Sequence, residues 1–204
     1  MISPDREYRN MKIERSERSE GEEPSYKVRG YASTFEKYLL YEDDEFQLYE
    51  QIDPTAFDEA DMSDVIFLYN HEGMVHARKK NGTLTVSTDS HGLFTEADLS
   101  STTASRELYE AIDSGLVDQM SFAFTVAEDE YDRKSHTRII HRIRKVYDVS
   151  AVSIPANPGT DIATVSARSY FDGVMEAERA ERLAQEKALA LAKAKYKYME
   201  VKND

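Results

Sequence analysis

The chain has 204 residues, of which 40% are hydrophobic, enough for one domain with a core of its own and terminal tails. It contains no cysteine, which excludes disulfide frameworks, thiol nucleophiles and cysteine-ligated metals. Its net charge of 26 − 39 = −13 argues against nucleic acid as a partner, and the lack of a glycine-rich phosphate loop argues against a nucleotide enzyme.

The N-terminal residues 1–24 are mostly charged and polar. The sequence predicts a charged lead-in here, with no signal peptide and no transmembrane span. Within it, Met11–Ile13 can still form a strand edge. We therefore expect a soluble cytoplasmic protein with no membrane partner.

The next part of the chain, up to residue 99, has the pattern of short strands. Alternating apolar and polar residues predict strands at 26–35, 83–88 and 92–99, and Asp89–Gly92 has turn chemistry. Residues 36–50 are acidic and aromatic and favour an irregular loop with a strand portion at 46–49. Pro54–Ala60 is typical of a short helix, and Val65–His71 is typical of a strand buried on both faces.

One helix and three further strands follow. The spacing of apolar residues predicts a helix over 103–114, which Thr102 or Thr103 can cap and Gly115 can close. Its apolar face comprises Ala104, Leu108, Ala111 and Ile112. The predicted strands are 117–126, 138–143 and 146–154; a polar excursion at 128–137 precedes the second, and Pro155–Pro158 ends the third.

Residues 171–204 differ from the rest. The stretch 175–201 is rich in Ala, Glu, Lys and Leu and has no Gly or Pro, so it predicts a long helix. We interpret it as a partner-binding or coiled helix outside the main core, although a solvated tail helix fits the composition equally well. The complete pattern indicates a lead-in at 1–24, a domain at 25–170 and this tail. The domain is α+β and mainly β, of the kind that forms a closed or half-closed barrel.

A lone serine interrupts the apolar strand around residue 121. Alternation puts Met120, Phe122, Phe124 and Val126 on one face, which has the character of a core. Gln119, Ser121, Ala123 and Thr125 share the other face, where small residues leave space around the hydroxyl. That placement suits an exposed nucleophile, and it suits an ordinary solvent-facing serine as well.

A serine nucleophile needs a histidine base and a group that orients the histidine. His71 ends a buried strand, and Asp148 interrupts an apolar strand, so both are candidates. A core or capping role for His71 and an arginine pair for Asp148 are the structural alternatives. A metal site is poorly supported, because the five histidines, His71, His76, His91, His136 and His141, form no His-Glu-x-x-His motif.

Several motifs in order resemble those of the prohead maturation proteases of tailed phages. They are Arg29–Ser33, Phe67–His71, Gly92–Leu99, the helix ending at Gly115, Met120–Phe124 and Asp148–Pro158. The resemblance covers roughly residues 27–167 and is carried mainly by Asn-His, Met-Ser-Phe and Pro-Ala-Asn-Pro together. Ala77-Arg78 departs from the Gly-Arg common in relatives.

The resemblance implies a serine endopeptidase with a small β-barrel similar to that of the herpesvirus assembly proteases, flanked by helices and followed here by the long C-terminal helix. It places the catalytic histidine at His71, the nucleophile at Ser121 and the third member at Asp148, where many relatives carry glutamate. The Asn-His pairing favours His71 over its neighbour His76. It implies no cofactor and no metal. Arg142, Arg144 or a backbone amide are possible oxyanion stabilisers.

The resemblance also implies where such an enzyme acts. We expect it inside the assembling procapsid in the host cytoplasm, where it cleaves the major capsid protein or a scaffold, and itself. The C-terminal tail, residues 171–204, would then be a packaging or partner-binding tail, or a segment lost on self-cleavage. A homo-oligomer is a further expectation. The alternative is an inactive, scaffold-binding assembly protein with the same fold, but such a protein would be expected to lose Ser121 or His71, and both are present. A third hypothesis is a metal-dependent hydrolase.

Overall fold

The computed structural model describes residues 6–15, 25–42, 46–153 and 162–202. Contacts divide the chain into two compact units, Met1–Thr164 and Val165–Asp204. The first unit is built mainly from strands and contains every candidate site residue. The second is helical and is described separately.

Ten strands and two α-helices occur in the described residues. In chain order they are β1 (Glu7–Arg15), β2 (Lys27–Thr34), β3 (Tyr38–Glu42), β4 (Gln47–Ile52), β5 (Ile66–Tyr69), β6 (Glu72–Arg78), β7 (Leu84–Thr88), β8 (Gly92–Asp98), α1 (Thr103–Asp113), β9 (Gln119–Asp132), β10 (Thr137–Val152) and α2 (Ile162–Lys202). The predicted α+β, mainly β, class is confirmed.

The strands form one sheet system in the order β3-β4-β10-β9-β1-β2-β8-β7, with β5 attached to β10 and β6 to β5. Within the described part of the chain, β3 and β7 end this order without pairing to each other, so the sheet does not close. The herpesvirus-like barrel is therefore not confirmed. The first unit contains one α-helix among its fully described elements, rather than a ring of flanking helices.

Strand β10 organises the first unit, because it has partners along both of its edges. On one edge it pairs antiparallel with β9 over almost its whole length. On the other edge it pairs in parallel first with β4, at Thr137–Ile140, and then with β5, at Asp148–Ala151. Strands 138–143 and 146–154 of the sequence prediction are thus one strand, with bulges between residues 140 and 148.

The core lies between the folded sheet and α1. Its largest fully buried side chains include Phe57, Phe67, Phe122, Phe124, Leu93, Leu99 and Met120. Helix α1 begins at the predicted cap, since the Thr102 hydroxyl accepts a hydrogen bond from Ser105 N, and Gly115 follows its end with a φ of 75°. Leu108, Tyr109 and Ile112 bury its inner face.

Other sequence predictions need correction. Residues 54–60 form successive turns rather than a helix: Asp53 O, Thr55 O and Phe57 O each accept a hydrogen bond from the amide three residues later. The expected loop over 36–50 contains the hairpin of β3 and β4. The polar excursion at 128–137 forms the end of the β9–β10 hairpin, where residues 128–130 of β9 and 133–135 of the turn are exposed, while Thr137 on β10 is buried. Strand β6 was not predicted, and Pro155–Pro158 lies outside the described residues.

The N-terminal lead-in contains a central strand. β1 pairs antiparallel with β9 on one side and with β2 on the other, so it joins two halves of the sheet system. The expected strand edge at Met11–Ile13 is thus part of an internal strand. The charged residues of this segment are accommodated because several of them are paired inside the protein.

These paired charges form a buried network beneath β1. Arg9 Nε lies 2.5 Å from Glu50 Oε1, and Arg138 Nη1 lies 2.6 Å from Glu7 Oε2 and 3.2 Å from Glu50 Oε2. Tyr38 also donates to Glu50. Glu50 is 0% exposed and the two arginines are 6% exposed. Burial opposes the charged form of Arg9, but the adjacent Glu50 raises the pKa of Arg9 well above its usual value.

Helix α2 begins at Ile162, earlier than the predicted residue 175. Leu183, Leu189 and Leu191 on this helix are exposed. No helix among the described residues is both long enough and apolar enough to cross a membrane. Whether α2 binds a partner stays a prediction.

The buried network predicts a large effect of a single substitution. Glu50→Gln removes one of the two carboxylates, Glu50 and Glu7, that Arg9 and Arg138 share, so we expect a loss of about 3 kcal/mol in the free energy of unfolding. Urea denaturation measures this loss. Lys27→Gln is the control: it removes one partner of an exposed pair with Glu96 and should leave the midpoint essentially unchanged. Equal midpoints for both variants would contradict the role given to Glu50.

Candidate active site

A tight turn positions His71. Asn70 and His71 join β5 to β6 and have φ values of 52° and 60°. Positive φ at both central residues is the geometry of a type I′ hairpin turn, in which asparagine is favoured. His71 therefore lies just after β5, the buried strand that the sequence predicted to end at this residue. The direction of the hairpin sets the position of the His71 side chain.

The turn is attached to the end of β10. Asn70 N donates to Ala151 O at 2.9 Å, and the Asn70 side-chain oxygen accepts from Ser153 N at 3.1 Å. Both contacts join the hairpin to the strand that carries Asp148. The position of the imidazole is thus fixed relative to β10.

Strand pairing brings the other candidates to the same face. Ser121 on β9 lies directly opposite Ser150 on β10, and Asp148 precedes Ser150 by two residues. Because alternate residues of a strand share a face, these three side chains point the same way. Ser121 is 1% exposed, Asp148 2% and Ser150 0%. The expectation of an open, small-residue face around Ser121 was wrong, because the sheet is covered on both sides here.

The three predicted residues form one continuous chain of contacts. His71 Nδ1 lies 2.6 Å from Asp148 Oδ1, and His71 Nε2 lies 2.7 Å from Ser121 Oγ. A carboxylate can only accept hydrogen bonds, so Nδ1 carries the proton of the neutral imidazole. Nε2 is then free to accept the hydroxyl proton of Ser121. In this arrangement an imidazole can take a proton from a serine as the serine attacks a carbonyl carbon.

Ser150 is a further member of the site that sequence reasoning missed. Its hydroxyl donates to Asp148 Oδ1 at 2.9 Å and lies 3.1 Å from His71 Nδ1. It therefore helps to fix the carboxylate and the ring. Ser150 is two residues from Asp148, so the sequence placed both side chains on the same face of a strand. Nothing in the sequence distinguished Ser150 from a serine buried in the core.

Two N-terminal residues, Tyr8 on β1 and Arg6 just before it, were also missed. The rings of Tyr8 and His71 have centroids 4.5 Å apart at 71°, an edge-to-face contact. Arg6 Nη1 lies 3.9 Å from Asp148 Oδ2. Burial raises the pKa of Tyr8, Arg6 opposes that rise and the charge of Asp148 adds to it. No sequence signal identified these residues, since the segment resembles a charged tail.

The rival candidates lie elsewhere. His76, the neighbour of His71, is 3.3 Å from Ser105 Oγ, and burial lowers its pKa. Arg142 pairs with Glu59 and Glu128, the latter seven positions along β9 from Ser121, or about 23 Å. Arg142 is therefore not an oxyanion stabiliser in this arrangement.

Metal binding finds no support in the described residues. His91 contacts Tyr31, His136 contacts Tyr131, and His141 lies near Asp53 and Glu130. Within the described ranges, no group of three or more histidine, aspartate or glutamate side chains could hold a metal ion. The residues around Ser121 thus form a site of hydroxyl, imidazole and carboxylate groups.

Comparisons with known proteins agree with the motif order of the sequence. A family model described as caudovirus prohead serine protease matches residues 10–173, most of the chain, and His71, Ser121 and Asp148 all lie within that range. No curated protein and no solved structure matches the chain. The resemblance drawn from the motifs is confirmed.

The geometry of the turn predicts distinct effects for two substitutions of one residue. Asn70→Ala removes the contacts of the Asn70 side chain with Ser153. It also leaves at positive φ an alanine, which has no side-chain hydrogen bonds to support that conformation. We expect a loss of about 1–3 kcal/mol in the free energy of unfolding. Asn70→Gly relieves the backbone strain and should recover part of the loss. Denaturant titration measures both, and an Asn70→Ala variant as stable as the wild type would disprove the anchoring role.

Proposed function

Because the chain belongs to the caudovirus prohead serine protease family, we propose that it is a serine endopeptidase that processes capsid or scaffold proteins, and itself, during procapsid maturation. The observation that carries the proposal is the continuous contact from Ser121 through His71 to Asp148, at 2.7 and 2.6 Å. In this proposal the three residues take the roles that the sequence resemblance implies for them.

The proposed reaction is acyl transfer to a serine. His71 Nε2 takes the proton of Ser121 as Oγ attacks the peptide carbonyl, and returns it to the leaving amine. Asp148 holds the proton on Nδ1 and stabilises the imidazolium. Water then attacks the acyl-enzyme with His71 as the base, and the peptide acid leaves with Ser121 restored.

The approach of the substrate follows from burial. Ser121 and Asp148 are almost fully covered, while the His71 side chain is 18% exposed. A peptide therefore reaches Ser121 from the side of the β5–β6 turn. An aspartate at position 148 needs no adjustment to make this arrangement, because its carboxylate contacts the imidazole directly.

An oxyanion stabiliser is required in such a reaction and contributes several kcal/mol to transition-state stabilisation. With Arg142 paired far along the β9–β10 hairpin, a backbone amide near Ser121 is the better candidate. Arg144 is exposed on β10, and its carbonyl oxygen accepts from Asp61 N. Neither arginine is needed for the proposal.

The proposed place of action is the assembling procapsid in the host cell, and the proposed substrates are the major capsid protein or a scaffold. Self-cleavage and a homo-oligomeric state are further parts of the proposal. The alternative of an inactive scaffold-binding protein has no observation in its favour, because the Ser121–His71 and His71–Asp148 contacts that a hydrolase of this type needs are present.

The proposed activity predicts discrete cleavage products that depend on Ser121. Wild type co-expressed with its capsid protein should yield truncated species in intact-mass spectrometry, and Ser121→Ala should yield none, because the nucleophile is absent. Ser87→Ala is the matched control, since this serine is exposed on β7, and it should cleave as the wild type does. Identical masses in wild type and Ser121→Ala, even with assembled capsid protein, would favour the inactive binding protein.

The packaging role proposed for the tail predicts an effect of its removal. Deleting residues 172–204, which removes most of α2, should reduce the amount of protein incorporated per prohead. Both forms should carry Ser121→Ala, so that self-cleavage cannot remove the tail from the longer one. The ratio of this protein to capsid protein in purified proheads measures incorporation. Unchanged incorporation would refute the packaging role.

A further inference from the structure

Strand β1 presents alternate side chains to two different environments. Tyr8 lies opposite Ala123 on β9, and the face they share also carries Ser121. Arg6 and Tyr8 therefore face the site, whereas Glu7 and Arg9 face the buried charge network. The charge network holds one face of the strand, and Arg6 and Tyr8 contact the candidate site from the other face.

The carboxylate of Asp148 uses its two oxygens differently. Oδ1 accepts from Ser150 and contacts His71. Oδ2 faces Arg6, whose Nη1 is 3.9 Å away. Among the residues that the structure describes, no other lysine or arginine lies within 4 Å of Asp148. Since Asp148 is 2% exposed, Arg6 supplies the positive charge that a buried carboxylate otherwise lacks.

Tyr8 limits the motion of the imidazole. Its ring is 5% exposed and packs edge-to-face on His71. With Asp148 and Ser121 at the two ring nitrogens, Tyr8 closes a third side of the ring. A rotation of His71 away from Ser121 would have to displace this buried aromatic side chain.

We propose that Arg6 and Tyr8 are positioning residues of the serine endopeptidase site: Arg6 neutralises the charge of the Asp148 carboxylate and holds it in place, and Tyr8 holds the His71 ring in line with Ser121. The inference rests on the proposed function. Both residues precede the range 10–173 that the family model matches. The site is complete only with Arg6 and the first residues of β1 in place.

The charge of Arg6 predicts a shift of the pH profile. The charged and titratable groups around the site include Asp148 on β10, Arg6 just before β1, Tyr8 on β1, and Glu72, which follows His71 in the chain. The Arg6 guanidinium also lies 3.8 Å from the ring centroid of Tyr147 on β10. Arg6→Gln removes the one cation of this set, and loss of a nearby positive charge favours the protonated form of an imidazole. The acidic limb of the pH profile should therefore lie at a higher pH in Arg6→Gln than in the wild type.

The test uses a fluorophosphonate reagent, which labels activated serines without knowledge of the peptide substrate. The rate of labelling of Ser121 is followed against pH, and the titration midpoint of the His71 ring is followed by NMR. In Arg6→Gln, the acidic limb of the labelling rate and the NMR midpoint should both move to a higher pH. Tyr8→Leu should slow labelling about tenfold or more at the optimum, because small misplacements of a base are costly. Tyr8→Phe keeps the ring and should restore most of the rate.

Controls separate positioning from general stability. Lys27→Gln removes one positive charge on the exposed surface of β2 and should leave the profile unchanged. The inference is overturned if Arg6→Gln shifts neither the acidic limb nor the NMR midpoint and Ser121 of Tyr8→Leu is labelled at the wild-type rate. It is also overturned if either variant only lowers the melting temperature with an unchanged profile. If wild-type Ser121 is not labelled at all, the proposed function fails and the role of Tyr8 fails with it, while the NMR midpoint still decides the role of Arg6.

Discussion

The register of β10 between its two neighbours is the constraint on which the site depends. β9 places Ser121 opposite Ser150, and β5, in parallel on the other edge, places Ile66 opposite Asp148. The hairpin turn after β5 then returns His71 across the end of β10 toward Asp148. A shift of one residue in either ladder would turn Ser121 or Asp148 to the opposite face. The bulges in β10 all precede Asp148, so the paired segment beside the site is regular.

Buried charge is the cost of this arrangement, and the protein offsets it twice. Asp148 is offset by His71, Ser150 and Arg6, while Glu50 is offset by Arg9, Arg138 and Tyr38. Each set draws on different strands, so neither can form before the sheet has assembled. Paired charges of this kind add little net stability, but removal of one partner is expensive. A register that separated these partners would leave a buried charge unpaired, so the pairs penalise alternative registers of the sheet.

The sequence predicted the parts of the fold that local patterns determine. Helix α1 with its Thr102 cap, the strands around Phe122 and Phe67 and the turn at Asp89–Gly92 all have local signals, and they were found. The failures have a common cause. The turns at 54–60 carry a helical composition, but tertiary hydrogen bonds such as Ile143 N to Ala56 O hold them in another form. Strand β6 is mostly exposed and contains Gly73, so its sequence lacks the alternation of apolar and polar residues that predicts a strand.

The candidate site also divides into residues that the sequence predicted and residues that it did not. His71, Ser121 and Asp148 could be proposed because motif order identifies them, although no spacing rule does. Ser150, Tyr8 and Arg6 could not, because each contacts the site only through a neighbour that strand pairing supplies. The N-terminal segment is the extreme case: Glu7 and Arg9 resemble solvated charges in the sequence, yet Arg9 is buried and Glu7 is largely covered, because partners on β4 and β10 neutralise them. A charged sequence can therefore be an internal strand wherever the fold provides counter-charges, and here the start of that strand brings Tyr8, with Arg6 just before it, to the proposed site.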